Sequence, residues 1–277
     1  MPDSLHKQIG NHWHDLELAR RQGDRPGEVR QLSALGRLYG HAGESERGLE
    51  CLYLALAIAR ELDTPQSKGW AYEGLGGFHA RYGQHQQAIE YLLTGLTCAE
   101  EAGDTATCQA ILYDLGEAYS HLGMHDRAIE AYDRAAQLAR QIRDRTAHAE
   151  ALIGVGRTAL LMGDLDRAIG PLAEVTVAAE EFGSADLKGD ALITLGTVYY
   201  RKHDLEKAIQ TYRHAVALLK IDGDPRLLAR ALLVLGQAHA DNGERKQAVA
   251  SIHQARAIHE ELGMSTGEFD AALARLG

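Results

Sequence analysis

The sequence predicts an all-α chain of stacked helix pairs, on three observations. Aromatics are 6% and Pro only 5 of 277 residues, while Ala, Leu, Arg, Glu and Gln dominate and β-branched runs are missing, a composition that favours helix over strand. Sliding the chain against itself gives one spacing of 40 residues: Leu35-Gly36, Leu75-Gly76, Leu115-Gly116, Val155-Gly156, Leu195-Gly196 and Leu235-Gly236 follow without insertion. A turn glycine (Gly43, Gly83, Gly123, Gly163, Gly243, with His203 in the fifth unit) then divides each repeat into two apolar-periodic stretches, so each repeat reads as a helix hairpin.

The elements follow in order. Residues 9–23 read as an orphan second helix, with Trp13, Leu16, Leu18 and Ala19 aligned to Tyr53, Leu56, Ile58 and Ala59. Repeats follow at 24–63, 64–103, 104–143, 144–183, 184–223 and 224–263. Asp24, Thr64, Asp104, Asp144, Ser184 and Asp224 share one register and can N-cap the first helix of each, with Pro65 and Pro225 in the first turn. The recurrent glycine lies midway along that helix, where it costs about 1 kcal/mol of helix propensity. The small residues Gly48, Ala88, Ala128, Ala168, Ala208 and Ala248 stand twelve positions later, so the two helices are expected to cross closely there, with Ala packed opposite the glycine. Gly170-Pro171 falls inside the fourth second helix and predicts a local bend. Residues 265–277 read as a closing first helix, opened by a Ser265-x-x-Glu268 capping box and carrying Phe269, Leu273 and Leu276. Terminal helices of this kind shield apolar faces that the end repeats leave open, and 1–277 is expected to be one solenoid domain.

Composition narrows the function. A chain 45% hydrophobic and 25% charged is too apolar for disorder, and a net charge of −10 gives no general attraction to nucleic acid. Cys51, Cys98 and Cys108 are too few and scattered for a disulfide framework. The N-terminus has no apolar signal region and no window approaches a membrane span, so a cytoplasmic location without membrane contact is expected. Walker, Gly-x-Ser-x-Gly, His-Glu-x-x-His and Cys-x-x-Cys patterns do not occur. Among 14 histidines, His12 and His14 point about 200° apart on a helix, and His41 and His121 are two repeats apart, too far to share one ion. His79 and His239 stand in a slot that is Tyr elsewhere and read as packed, hydrogen-bonded side chains. No catalytic residue, cofactor or metal site is expected, and the chain reads as non-enzymatic.

The pattern Leu-Gly-x-x-Tyr, then Ala, then an aromatic or Leu, then Ala resembles the tetratricopeptide repeat (TPR); Tyr39, Tyr119 and Tyr199 fill its first aromatic slot, Tyr132 and Tyr212 its second. The usual repeat is 34 residues with a Pro near its end. Here Arg60, Glu100, Arg140, Glu180, Lys220 and Glu260 replace that Pro, so the second helix is longer, in a form similar to repeats of Pins-type adaptors, kinesin light chains and bacterial Rap-type or regulator-associated domains. The resemblance implies a right-handed α-solenoid of six helix pairs plus capping helices, with the first helices lining a concave groove.

On that register the groove residues stand six and three before, and one, four and five after, the recurrent glycine. The candidate partner-binding set is Arg37, Trp70, Arg81, Tyr113, Glu117, His121, Ile153, Arg157, Leu161, Ile193, Tyr200, Arg201 and Leu233. Six arginines on this face (Arg30, Arg37, Arg81, Arg157, Arg201, Arg230) meet five acids (Glu73, Glu117, Glu150, Asp190, Asp241). They can capture a partner's carboxylates or pair with those neighbours. Tyr113, Ile153, Leu160, Leu161, Ile193, Tyr200 and Leu233 form an apolar strip suited to an amphipathic helix or short apolar peptide, with Trp70 as an anchor. The Lys/Asn carboxylate clamp and the Asn ladder of related grooves are missing. The expected function is a protein-interaction scaffold, monomeric or weakly dimeric; a peptide-sensing regulatory domain and a self-associating solenoid are the alternatives.

Overall fold

The computed structural model describes the backbone of residues 2–181 and 183–276. Two compact units divide the chain, Met1–Asp144 and Arg145–Gly277. Among the described residues the first holds α1 (Pro2–Gln22), α2 (Arg25–Ala42), α3 (Ser45–Leu62), α4 (Pro65–Arg81), α5 (His85–Ala102), α6 (Thr105–His121) and α7 (His125–Gln141). The second holds α8 (Arg145–Met162), α9 (Leu165–Glu181), α10 (Ala185–Arg201), α11 (Leu205–Asp222), α12 (Pro225–Asp241), α13 (Arg245–Glu261) and α14 (Gly267–Ala274), and no strand is described in either.

Local chemistry sets the helix ends. Asp24, Thr64, Asp104, Ser184 and Asp224 accept backbone N–H bonds from the first turns of α2, α4, α6, α10 and α12, satisfying donors a helix N-terminus leaves open. Gly43, between α2 and α3, has φ +79° and its N–H closes on the Gly40 and Tyr39 carbonyls. That left-handed conformation is one a side chain strains, yet His203 takes it at φ 61° in the fifth hairpin. A second series of left-handed glycines, Gly23, Gly103, Gly183 and Gly263, marks the junctions that lead into α2, α6, α10 and α14.

Each hairpin is locked by the recurrent glycine, but not against the alanine expected. A Cβ on Gly36 would lie 2.3 Å from Leu52 Cγ, on Gly76 2.4 Å from Leu92 Cγ, and on Gly196 2.5 Å from Tyr212 Cε1. The residue seated in the gap is the large one sixteen positions on, with the backbone of the small residue beside it: the Gly48 carbonyl is 3.0 Å from the Gly36 position and Ala88's 3.4 Å from that of Gly76. Burying each such side chain is worth roughly 1.5–3 kcal/mol. Leu52 joins Leu16, Leu32, Leu35 and Leu75 in a core cluster of the first unit, and Tyr212 joins Leu192, Leu232, Ile252 and Phe269 in one of the second.

First helices of successive pairs pack directly on each other, α2 on α4 and α4 on α6 in one unit, α8 on α10 and α10 on α12 in the other. They therefore form the inner wall of each stack. The terminal helices differ in detail from expectation. α1 begins at Pro2 and buries Ile9, Leu16 and Ala19, whereas Leu18 is exposed. The Ser265-x-x-Glu268 box does not form: Thr266 stands at the cap with no side-chain bond to the first-turn backbone, its hydroxyl donating to Asp270 Oδ2 at 3.1 Å, and Ser265 Oγ accepts the Gly267 N–H at 3.5 Å. α9 continues through Pro171 to Glu181. His79 and His239 are buried and bond through Nδ1 to Gln84 Oε1 at 2.5 Å and Glu244 Oε2 at 2.6 Å, the packed role their register predicts.

Candidate functional site

In the Met1–Asp144 unit, α1, α2, α4 and α6 wall a cavity of about 1200 Å³. The predicted residues Arg37, Trp70, Arg81, Tyr113, Glu117 and His121 all line it. Arg37 on α2 pairs with Glu73 Oε1 on α4. One turn further along α4, Gly77 presents bare backbone, and a Cβ there would lie 3.0 Å from Asp114 Oδ2 and 3.7 Å from Arg37 Cδ. The missing side chain lets Asp114 of α6 reach in beside the Arg37–Glu73 pair, with Glu117 one turn on. Burial, then the charge on Glu73 and that on Glu117, push the Asp114 carboxyl up to about 8, with Arg37 opposing them, so Asp114 is mostly protonated at neutral pH.

Around this cluster the wall is polar and aromatic. Half-buried Trp70 donates its Nε1–H to Asp104 Oδ2 at 3.0 Å, and the Arg30 guanidinium stands 5.8 Å from its ring centroid. Arg81 lies 2.7 Å from His41 Nδ1; burial, then Arg81 and Arg37, hold His41 below the usual histidine range, leaving a lone pair for the guanidinium. His85 stacks on His121 with centroids 4.5 Å apart, and burial plus that neighbour lower His85 too. Tyr113 sets its ring edge-on to Tyr132 at 5.6 Å. Ser33, only 4% exposed, borders the same cavity with no hydrogen-bond partner for Oγ.

The predicted residues of the Arg145–Gly277 unit behave differently, and the apolar strip is corrected. Ile153 and Ile193 are 3% and 4% exposed: at their register α8 and α10 carry branched apolar side chains that pack inward, so neither offers contact surface. Leu233 is half-buried against the core, the Tyr200 hydroxyl donates to Asp241, and Leu161 is 60% exposed. Arg157 and Arg230 both pair with Asp190 between them. Together with Arg37 on Glu73, these pairs decide the question left open for those arginines: they meet neighbouring acids. Arg201 is exposed at the end of α10.

Sequence reasoning missed Asp114 as an element of the site, whereas Ser33 stands on one of the five groove registers, outside the binding set drawn from them. A signal for Asp114 existed: two before the recurrent glycine stand Ala34, Gly74, Asp114, Gly154, Thr194 and Val234, and Asp114 alone is charged. Among the described residues no group of three or more His, Cys, Asp or Glu could hold a metal ion, Cys51, Cys98 and Cys108 are free thiols, and no helix is long and apolar enough to cross a membrane.

Interlocked helix hairpins whose first helices wall a groove define an α-solenoid repeat protein. The tetratricopeptide repeat model matches residues 107–181 and 188–261, more than half of the chain, and the chain belongs to that family. Among solved structures it is similar to BtubC (BKLC) from P. vanneervenii, at 18% identity and TM-score 0.62 over 94% of this chain and 92% of that one. It is similar to the apo form of RapI, at 13% identity and TM-score 0.74 over 94% and 75%. The apo quorum sensor NprR from B. thuringiensis matches at 18% and TM-score 0.64 over 99% and 80%. Among curated proteins, none matches the sequence.

Proposed function

We propose that this chain is a non-enzymatic interaction module that binds a peptide segment of a partner protein in the groove of the Met1–Asp144 unit, in a reducing, cytoplasmic setting. The observation that carries this reading is the cavity of about 1200 Å³ walled by successive first helices. It is larger than a typical small-molecule pocket, as room for a peptide segment requires, and presents Trp70, Arg81 and Tyr113 from adjacent repeats. Aromatic and Arg side chains supply most of the energy at protein interfaces.

The test is capture of partners from the source cell, with binding then measured for each one recovered. Trp70→Ala and Arg81→Glu should each weaken binding by about tenfold or more while helicity is kept, and Arg134→Glu with Arg213→Glu on second helices should do little. Binding lost in the second-helix pair and retained in both groove variants would move the site away from the cavity. Likeness to the quorum sensor NprR over 99% of the chain favours one second reading, a ligand-sensing regulatory domain. Small-angle scattering separates the two: a sensor changes its dimensions on binding peptide and a plain scaffold does not. Sedimentation tests the expectation of a monomer or weak homodimer.

A further inference from the structure

We propose that Glu73, Asp114 and Glu117 form a cation subsite of this groove, taking the ammonium or guanidinium group of a basic residue in the bound peptide. The inference rests on the groove reading and adds the chemical class of the ligand.

Charge balance is the first argument. Three carboxylates from two adjacent first helices converge where Arg37 is the cation in contact, through Glu73. The other basic groups bordering the cavity are engaged elsewhere: Arg30 over Trp70, Arg81 on His41, and His85 stacked on His121. Asp104, the remaining acid of α6 in the wall, caps its helix and holds Trp70. Arg37 is one cation against three carboxyl groups, so a charged Asp114 is repelled by its acidic neighbours, and a further cation lowers that repulsion most.

Geometry supplies the second. Gly77 leaves the Asp114 carboxylate beside bare backbone on the cavity wall. Independently, Ser33 Oγ is buried on the same wall without a partner. Ser33 packs on α4 next to Glu73, its Cβ 3.3 Å from where a Cβ on Gly74 would stand. An ammonium has three N–H donors and a guanidinium five, enough to engage more than one acceptor of this wall.

Asp114, pushed up to about 8, holds a proton at neutral pH in the place of such a cation. Binding then exchanges one for the other: the Asp114 O–H bond breaks, its proton passes to solvent, and the carboxylate keeps the electron pair and accepts an N–H bond from the ligand. Affinity must therefore rise with pH up to about 8 and level off above it.

The probes are N-acetylated, amidated heptapeptides Ser-Ala-Leu-X-Ala-Leu-Ser with X as Lys, Arg, norleucine or Glu, titrated calorimetrically into the full chain in two buffers of different ionisation enthalpy. The Lys and Arg peptides should bind about tenfold or more tighter than the norleucine peptide. They should release close to one proton near neutral pH and gain up to about tenfold in affinity per pH unit below 8. Asp114→Asn, which copies the protonated carboxyl and should fold normally, should abolish the proton release. If the norleucine peptide with a free N-terminus matches the Lys peptide, the cation is the terminal ammonium and the subsite stands. Peptides that bind regardless of X would overturn the subsite and leave the groove reading intact. If no peptide binds, the groove reading falls, and the Asp114 carboxyl resonance followed with N-acetyl-lysinamide decides the subsite alone: a pKa lowered by about one unit or more upholds it, and an unmoved one overturns it.

Discussion

At the register three residues before the recurrent glycine, one unit carries Ser33, Glu73 and Tyr113, and the other Ile153, Ile193 and Leu233. The first three border a cavity; of the others, two are buried and Leu233 is half-buried against the core. Charge follows the same contrast. In the Met1–Asp144 unit one arginine, Arg37, stands among Glu73, Asp114 and Glu117, whereas in the Arg145–Gly277 unit one acid, Asp190, stands between Arg157 and Arg230. One repeat backbone thus supports an inner wall that opens on a cavity or one that packs apolar side chains, and a few side chains at fixed registers choose between them.

The largest effect that sharpens this contrast is expected from Ile153→Asp with Ile193→Asp. Two carboxylates placed without partners in a core should cost more than about 4 kcal/mol and abolish cooperative melting of the Arg145–Gly277 unit. Tyr113→Asp, at the same register on the cavity wall, should cost about 1–2 kcal/mol. Equal melting curves by circular dichroism would break the comparison. Next comes Asp190→Ala, which leaves Arg157 and Arg230 facing each other without their shared acid and should cost about 1 kcal/mol, since both guanidiniums are part-exposed.

Asp114→Asn is expected to act in the opposite direction. The Asp114 carboxyl titrates near 8 in the folded chain and near its ordinary value, about 4, when unfolded. Between those values the folded state binds more protons, so this group's contribution to stability is full at low pH and falls as pH rises towards 8. The asparagine variant should lose that slope and melt above the parent beyond pH of about 8. The slope is best read above a pH of about 6.5, because His41 and His85, both held low, run the other way below it. The smallest effect is expected for Arg201→Glu, an exposed position where stability should change by about 0.5 kcal/mol or less.

The hairpins and their caps were legible because Gly36 and its successors, the turn glycines and Asp24, Thr64 and Asp104 each depend on chemistry local to the chain. The partner of the recurrent glycine was not: spacing pointed to Ala88, and only the crossing geometry shows that Leu92 fills the gap. In the candidate site, Arg37, Trp70 and Arg81 were found because register alone sets which side of a first helix they occupy. Ile153 and Ile193 stand on another of the groove registers but pack inward, and exposure depends on neighbours that a single helix face does not reveal. Asp114 lay outside the five registers read as the groove, and it reaches the site through the space beside Gly77, a gap contributed by another helix.

The interlock of glycine with the residue sixteen positions on has a consequence for how such a chain changes length over generations. Its tightest joint closes within a single 40-residue segment, Gly36 on Leu52, Gly116 on Tyr132, Gly196 on Tyr212. A duplication or deletion of one whole segment therefore carries both halves of that joint with it and leaves the same joint intact inside the other segments. A frame slip of a few residues inside a hairpin would instead drive Cβ atoms into occupied space. Inheritance in this architecture is quantised: the gene can gain or lose whole hairpins freely, while the interior of each is held to its count.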